Sequence, residues 1–300
     1  MHDEILTLLP AELVFANEPM KKHTSFKIGG PAEVFVTPEN TEQLAKIWKI
    51  CQEKGYPMTV LGGGNNVLVC DEGIKGVVIV TEKMNKIEIH ENKIVAGGGT
   101  KLHALADTAQ KAGLSGLEFA HGIPGTVGGA IYMNAGAYNH EIKDICESVT
   151  VLLSTGDVIT YDKQSLNFGY RKSRFQNEAA IITQARFRLD PKSPKEINAY
   201  MEELMEKRRN NQPLDKKSAG STFKRPGIPN HYAAKMIDDC GLKGFTIGGA
   251  QVSTKHAGFV INTGNATAND VLALMEEVRE RVHANTGIWL EPEVQMMGFC

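Results

Sequence analysis

Residues 119–138 read FAHGIPGTVGGAIYMNAGAY, and this stretch decides how the rest of the chain is interpreted. Between Glu118 and Glu141 no residue is charged unless a histidine is protonated, and glycines punctuate the run. Each glycine costs about 0.5–1 kcal/mol relative to alanine inside a helix or strand, so this density disfavours a plain regular element. It favours a backbone that approaches a ligand closely and presents N–H groups to it. An ordinary turn-rich loop is the alternative.

A second glycine cluster, Gly62-Gly63-Gly64-Asn65-Asn66, follows a short apolar strand at residues 58–61. It fails as a dinucleotide-binding fingerprint, because Val67 stands at the third glycine position and no helical pattern follows. A Rossmann fold is therefore disfavoured. Consecutive N–H donors in a loop without large side chains still suit a pyrophosphate. A plain hairpin loop is the competing interpretation.

Bulk composition excludes several classes of function. A net charge of −2 over 300 residues gives no electrostatic case for nucleic acid or an anionic membrane, and no stretch resembles a spanning helix or a signal peptide. Five cysteines without a C-x-x-C pair indicate reduced thiols and a cytoplasmic location. The nine histidines form no ligand pattern, so no metal site is expected.

Local patterns predict an α+β chain. The expected elements are a short helix at 3–15, a strand at 32–37, a helix from Thr41 to Gly55, a helix after Gly97–Thr100 that ends at Gly113, a hairpin of strands 148–153 and 158–161, a strand at 179–189, and helices at 195–211 and 269–284. Asp190–Pro194 is the clearest linker. We therefore expect a region 1–192 of two α+β subdomains, split near residue 78, and a smaller α+β domain at 195–300.

Three further segments carry residues suited to chemistry. In 168–175, Arg171 and Arg174 flank a serine, and arginine can bind a carboxylate or phosphate through two hydrogen bonds; a solvated basic turn is the alternative. Ser221 lies in a polar loop without the G-x-S-x-G elbow, where a turn or capping role is usual. Glu293 lies in an apolar C-terminal segment, where it either pairs with a cation or faces solvent.

Taken in order, these pieces resemble one family, UDP-N-acetylenolpyruvoylglucosamine reductase, over essentially the whole chain. The matching segments are 24–31, 62–69, 122–138, 170–175, 220–226, 249–262 and 290–298. The resemblance implies an FAD-binding domain of the vanillyl-alcohol-oxidase type, followed by a smaller α+β substrate-binding domain. It also implies a shorter class of the family, because the interval between Arg171 and Ser221 lacks the loop that places a tyrosine over the substrate in longer members.

The resemblance assigns roles residue by residue. Arg171, Ser221 and Glu293 match the catalytic positions, with Ser221 as the proton donor. Substrate-binding positions are Tyr170, Arg225 and His256. The FAD-binding positions are Gly62, Gly63, Gly64, Asn65, Asn66, Gly122, Ile123, Pro124, Gly125, Gly128, Gly129 and Ala130. Two positions depart from common family patterns: Gln295 stands where many members have arginine, and Arg225 where some have asparagine.

The expected activity is FAD-dependent reduction of the enolpyruvyl ether of UDP-N-acetylglucosamine, with NADPH as reductant, in peptidoglycan precursor synthesis. The expected partner is a UDP-sugar, not nucleic acid or membrane, and the expected state is a cytoplasmic monomer. Two alternatives stay open at this point. One is another flavin oxidoreductase of the same fold, and the other is a non-enzymatic nucleotide-binding protein whose glycine runs are structural.

Overall fold

A computed structural model describes residues 1–299; Cys300 lies outside the described residues. The chain forms two compact units that are discontinuous in sequence. Unit 1 comprises residues 1–16, 34–63 and 76–208, and unit 2 comprises residues 17–33, 64–75 and 209–300. This division differs from the linear one predicted above, because two early segments of the chain belong to the C-terminal unit. The assignment of cofactor to 1–192 and of substrate to 195–300 stays a prediction.

Helices and strands are mixed along the chain, and most strand pairs are antiparallel, as in an α+β protein. The helices are α1 His2–Leu6, α2 Thr41–Lys54, α3 Leu102–Lys111, α4 Glu118–His121, α5 Val127–Met133, α6 Ile142–Ile145, α7 Pro194–Asn211, α8 Ala233–Asp239 and α9 Ala268–Thr286. The strands are β1 Val14–Pro19, β2 Pro31–Val36, β3 Met58–Leu61, β4 Val67–Val69, β5 Ile74–Val80, β6 Ile87–His90, β7 Lys93–Gly97, β8 Leu114–Ser115, β9 Gly136–Ala137, β10 His140–Glu141, β11 Cys146–Leu153, β12 Val158–Asp162, β13 Ala180–Arg188, β14 Asp190–Pro191, β15 Lys217–Ser221, β16 Thr246–Ile247, β17 Ala250–Val252, β18 Phe259–Asn262 and β19 Gln295–Met297.

The largest sheet of unit 1 is antiparallel and has the strand order β12-β11-β13-β7-β6. The predicted hairpin β11–β12 and the half-buried strand β13 are confirmed. Inward side chains of this sheet form one hydrophobic core with the buried faces of α3 and α5, among them Leu105 and Ile131. The glycine-rich run is thereby fixed against a packed sheet, because Val127, Ala130 and Ile131 of α5 belong to that core.

A second core of unit 1 forms where α2 packs near β3 and β5, which pair in parallel from Met58↔Val77 to Leu61↔Val80. The predicted helix over 41–55 is confirmed, with Gly55 in the left-handed conformation at its end. Asn40 caps it by accepting a hydrogen bond from the Gln43 N–H. The predicted helix at 3–15 is wrong beyond Leu6, because Pro10 interrupts it and β1 begins at Val14.

Unit 2 is built on an antiparallel sheet of order β15-β18-β17-β16, covered by α8 and α9. The early segments join it through long-range bonds. The Asn262 amide donates to the Phe26 carbonyl (3.0 Å), and the Asp71 carboxylate accepts from the Ala268 N–H (2.8 Å) at the start of α9. In addition, β4 pairs in parallel with β19. These bonds explain why residues 17–33 and 64–75 belong to unit 2.

No helix within the described part of the chain is long and apolar enough to cross a membrane. Likewise, residues 1–299 contain no group of three or more His, Cys, Asp or Glu side chains arranged to hold a metal ion.

Candidate active site

Two glycines of unit 1 lie against one buried threonine. A Cβ at Gly62 would overlap Oγ1 of Thr126, and one at Gly129 would lie 3.7 Å from the same atom. Gly128 donates its N–H to the Gly98 carbonyl (2.7 Å), and a Cβ at Gly128 would lie 3.1 Å from that oxygen. The two predicted glycine segments, together with the third cluster at 97–99, therefore form one closely packed cradle that larger residues would fill.

Part of residues 119–138 is helical, which differs from the expectation for so many glycines. Helix α4 covers 118–121, and α5 covers 127–133 with Gly128 and Gly129 inside it. Close packing explains the difference, since the Gly128 backbone lies against Gly98 where a side chain would crowd the carbonyl. Tertiary contact thus outweighs the poor helix propensity of glycine.

Two buried hydroxyls of this cradle are unpaired. Oγ1 of Thr100 and Oγ1 of Thr126 have no hydrogen-bond partner within residues 1–299, although both residues are only 1% exposed. Buried polar groups are nearly always paired in native proteins, so each orphan requires an explanation. A bound group with polar atoms would supply the missing partners. Sequence reasoning missed both threonines; their position directly after or between glycines was the available signal.

A half-buried cation also lies beside the run. A Cβ at Gly122 would lie 3.0 Å from Cδ of Arg208, so glycine leaves room for this arginine. Burial lowers the pKa of Arg208, and its Nε has no hydrogen-bond partner in the part of the chain that the structure describes. A guanidinium removed from part of its solvent is stabilised by an anion. The cradle therefore suits a ligand that carries negative charge.

Arg171 lies at the apex of a tight turn in unit 1. Gly169 and Lys172 exchange both backbone hydrogen bonds (3.0 and 3.1 Å), and Arg171 between them has a φ of +53°. A left-handed non-glycine residue costs about 1–3 kcal/mol and persists only where its surroundings enforce it. The Arg171 guanidinium donates to the Gly136 carbonyl (3.3 Å) and approaches the neighbouring Tyr170 ring. Strain of this kind is typical of functional positions.

The second arginine of the motif is structural. Arg174 donates to the Glu178 carboxylate (2.7 Å) and the Ser165 carbonyl (2.7 Å), and its guanidinium stacks over the Tyr161 ring. Tyr161 also donates to Glu178 (2.6 Å). These contacts satisfy Arg174 within the fold, which leaves Arg171 as the anion-binding candidate of the pair.

In unit 2, Ser221 lies on an irregular part of β15. The register with β18 shifts between Ser218 and Ser221, and Gly220 in between has a φ of +80°. A β-bulge re-aims the side chain beside it and is common next to active sites. Ser221 is exposed as a result, whereas Ala219 of the same strand and Thr222, the residue after the strand, are buried.

Glu293 is held next to the Ser221 segment by main-chain bonds. Its N–H donates to the Thr222 carbonyl (2.8 Å), and the Lys224 N–H donates to the Glu291 carbonyl (2.8 Å). The Asn66 amide donates to the Glu293 carbonyl (3.1 Å). Unit 2 therefore brings together two predicted catalytic residues and one predicted cofactor-binding residue.

His256 joins the same neighbourhood through the turn before β18. Its Nδ1 accepts from the Gly258 N–H (3.2 Å), and the Gly258 carbonyl accepts from the Thr222 N–H (2.8 Å). Its ring packs edge-on against Phe259, 5.0 Å between centroids. The acceptor role of Nδ1 leaves the proton on Nε2 as a donor. Burial lowers the pKa of His256 below its usual 6.5, which keeps the ring neutral.

This neutrality predicts a pH dependence of stability. Below pH 6.5 the unfolded chain binds a proton that folded His256 resists, so the free energy of unfolding should fall as pH decreases from 7.5 to 5.5. The slope for one proton is at most about 1.4 kcal/mol per pH unit. Urea titrations of the wild type and of His256→Gln at both pH values measure it. Equal losses in the two proteins would contradict the assignment.

Comparisons with known proteins identify the chain. An FAD binding domain model matches residues 32–162, and the model of the UDP-N-acetylenolpyruvoylglucosamine reductase C-terminal domain matches residues 212–297. The UDP-N-acetylenolpyruvoylglucosamine reductase of Clostridium novyi (strain NT) is 45% identical over 298 residues, 99% of this chain and 96% of that protein. The chain belongs to the UDP-N-acetylenolpyruvoylglucosamine reductase family. The corresponding enzyme of Agathobacter rectalis is 46% identical, covering 97% of this chain and 96% of its own.

Solved structures agree with this family. The crystal structure of UDP-N-acetylenolpyruvylglucosamine reductase from Thermus caldophilus superposes with a TM-score of 0.81 at 38% identity, over 93% of this chain and 97% of that one. The predicted fold class, α+β with an FAD-binding domain followed by a smaller C-terminal domain, is confirmed. The chain is an FAD-containing oxidoreductase of this family.

Gln295 and Arg225, the two positions expected to depart from common family patterns, have clear surroundings. The Gln295 amide turns back to donate to the Glu293 carbonyl (3.2 Å), and its N–H donates to the Asn66 carbonyl (2.9 Å). Arg225 lies in an exposed loop with its guanidinium over the Tyr232 ring, 5.6 Å from the centroid.

The remaining predicted positions divide between the units. Arg171, Tyr170, Gly62, Gly63 and residues 122–130 lie in unit 1, whereas Gly64, Asn65, Asn66, Ser221, Arg225, His256 and Glu293 lie in unit 2. Within unit 1 the glycine cradle and Arg171 are linked through the run itself, since Arg171 contacts Gly136.

Proposed function

We propose that this chain catalyses the FAD-dependent reduction of the enolpyruvyl ether of UDP-N-acetylglucosamine to UDP-N-acetylmuramate, a step of peptidoglycan precursor synthesis, with NADPH as reductant. The full-length similarity to the reductase family carries this proposal. The UDP-sugar is the expected partner, and a cytoplasmic monomer is the expected state of the protein.

The residues of the cradle fit FAD. Its pyrophosphate would find consecutive N–H groups at Gly62 and Gly63, and its polar atoms would pair with the orphaned hydroxyls of Thr100 and Thr126. The half-buried Arg208 would balance negative charge. When bound, FAD supplies the hydride that reaches the outer carbon of the enol ether, after its own reduction by NADPH.

The fit predicts the effect of Gly62→Ala. The new methyl group would overlap Oγ1 of Thr126, and overpacking of this kind costs about 1–3 kcal/mol, so the dissociation constant of FAD should rise by about tenfold or more. Titration of the apoprotein with FAD, followed by quenching of flavin fluorescence, measures this. In the double variant with Thr126→Ala the clash is removed. Packing should be restored, but the proposed contact between the Thr126 hydroxyl and FAD should not. Wild-type affinity in Gly62→Ala would contradict the predicted cradle.

The chemistry of the substrate gives each predicted catalytic residue a task. Addition of hydride to the outer carbon leaves negative charge that spreads from the inner carbon into the carboxylate. Arg171 would stabilise that carboxylate through directed hydrogen bonds. Ser221 would donate its hydroxyl proton to the inner carbon and regain one through hydrogen-bonded neighbours. Glu293 would adjust the charge around the reacting carboxylate.

One anaerobic experiment tests the function. Purified protein is mixed with NADPH, and loss of the absorbance of oxidised flavin is recorded. The UDP-sugar enol ether is then added, and the flavin should return to its oxidised form in step with appearance of UDP-N-acetylmuramate. A protein that is reduced by NADPH but not reoxidised by this substrate would be a flavin oxidoreductase with another substrate. A colourless protein that binds no FAD would contradict the whole proposal.

A further inference from the structure

Two side-chain amides of unit 1 hold the strained turn of Arg171 by donating hydrogen bonds to its backbone carbonyls, those of Arg171 and Gly169. Gln176 donates from Nε2 to the Arg171 carbonyl (2.9 Å), and Asn134 donates from Nδ2 to the Gly169 carbonyl (2.9 Å). The Gln176 amide also donates to the Tyr132 carbonyl (3.2 Å), which ties the turn to the end of α5. The left-handed conformation of Arg171 is therefore enforced by contacts outside the turn.

Asn134 is suited to this task because every polar atom of its side chain is already hydrogen-bonded. It is fully buried and ends α5 in the left-handed conformation with a φ of +42°. Besides the bond to Gly169, Nδ2 donates to the Glu141 carboxylate (3.1 Å), and Oδ1 accepts from the Lys143 N–H (3.0 Å). An aspartate of the same shape would place an oxygen against the Gly169 carbonyl and against the Glu141 carboxylate. Only the amide fits both acceptors.

We propose that Asn134 and Gln176 are positioning residues for Arg171. This inference rests on the catalytic role of Arg171 in the proposed function. Without the two amides, the Arg171 backbone can relax to an unstrained conformation, which turns the guanidinium away from its contact with the Gly136 carbonyl. Asn134 and Gln176 would thereby set the orientation of the Arg171 guanidinium. Neither of the two residues needs to contact the substrate.

The test replaces the amide without changing its size. Gln176→Glu places a carboxylate oxygen against the carbonyls of Arg171 and Tyr132, and we expect the rate of flavin reoxidation by the UDP-sugar enol ether to fall about 10–100-fold. The rate of flavin reduction by NADPH should stay within about twofold. Lowering the pH should shrink the defect, because protonation of the introduced carboxyl restores a donor. Gln164→Glu, the same change at an exposed position, serves as the matched control and should behave as the wild type.

A double-mutant cycle separates positioning from a general loss of structure. If Gln176 acts through Arg171, Gln176→Glu should cost little or nothing further in an Arg171→Gly background. Additive losses, or a normal reoxidation rate in Gln176→Glu, would overturn the inference. Asn134→Asp provides a second variant of the same design, and circular dichroism with FAD content reports whether each variant folds. If Arg171→Gly itself reoxidises normally, the proposed function of Arg171 fails instead, which is a distinct result.

Discussion

Replacing Ser221 by alanine should slow reoxidation of the flavin by the UDP-sugar enol ether by about 10²–10⁴-fold, the usual contribution of a positioned general acid. The inner carbon of the substrate needs a proton, and the exposed hydroxyl beside the bulge of β15 is the predicted source. Reduction of the flavin by NADPH needs no proton from Ser221 and should proceed at the wild-type rate. Anaerobic stopped-flow absorbance resolves the two half-reactions.

Ser218→Ala supplies the control for that measurement, because Ser218 lies on the same strand before the register shift. It should leave both half-reactions within about twofold of wild type. Deuterium in the product gives a second readout when the reaction is run in D₂O. Ser221→Ala should form much less product, but the product that it does form should carry deuterium at the same carbon as the wild-type product. A Ser221→Ala protein that reoxidises at the normal rate would remove Ser221 as the proton donor.

Replacing Arg171 by glycine should separate stability from activity. Glycine adopts the observed φ of +53° without strain, so the folded state is relieved of about 1–3 kcal/mol of backbone strain. The greater conformational entropy of glycine in the unfolded state opposes this gain by about 0.4–1 kcal/mol. The free energy of unfolding should therefore stay level or rise by up to about 2.5 kcal/mol. Reoxidation by the substrate should fall about 10²–10³-fold, because the developing carboxylate charge loses its directed donor. Urea titration and stopped-flow absorbance measure the two effects.

Asn167→Gly is the matched control, since Asn167 is an exposed left-handed residue of the same unit with a φ of +48°. It should change neither rate. If Arg171→Gly unfolds more easily than wild type by several kcal/mol, the contacts of the side chain outweigh the strain of its backbone. If its reoxidation rate is normal, Arg171 does not stabilise the reacting carboxylate.

Much of the architecture could be predicted because its signals are local. Alternation gave strand β13, the Ser-Thr-Gly-Asp turn gave the β11–β12 hairpin, and 3–4 spacing of apolar residues gave α9. The failed dinucleotide fingerprint correctly disfavoured a Rossmann fold, and the glycines kept their ligand-binding interpretation. The order of motifs then narrowed that ligand to FAD, which the family comparison confirms.

Other features depend on contacts that no local pattern reports. Pairing of β4 with β19 joins segments from opposite ends of the chain, so a linear boundary at 190–194 could not capture unit 2. The left-handed conformation of Arg171 contradicts the usual preference for glycine or asparagine, and the amides that enforce it lie on separate elements. The unpaired hydroxyl of Thr126 indicates a ligand-binding cradle only because Gly62, distant in sequence, lies against it in the fold.

The discontinuity of unit 2 has a consequence for how the protein is made. During translation β4 leaves the ribosome early, but its partner β19 follows only when residues 295–297 have been synthesised, and Asn66 waits equally long for the Glu293 carbonyl across 227 positions. Unit 1 from residue 76 to 208 can complete its five-stranded sheet in the meantime. The nascent chain must therefore carry Val67, Leu68 and Val69 as an unpaired apolar strand for most of its synthesis.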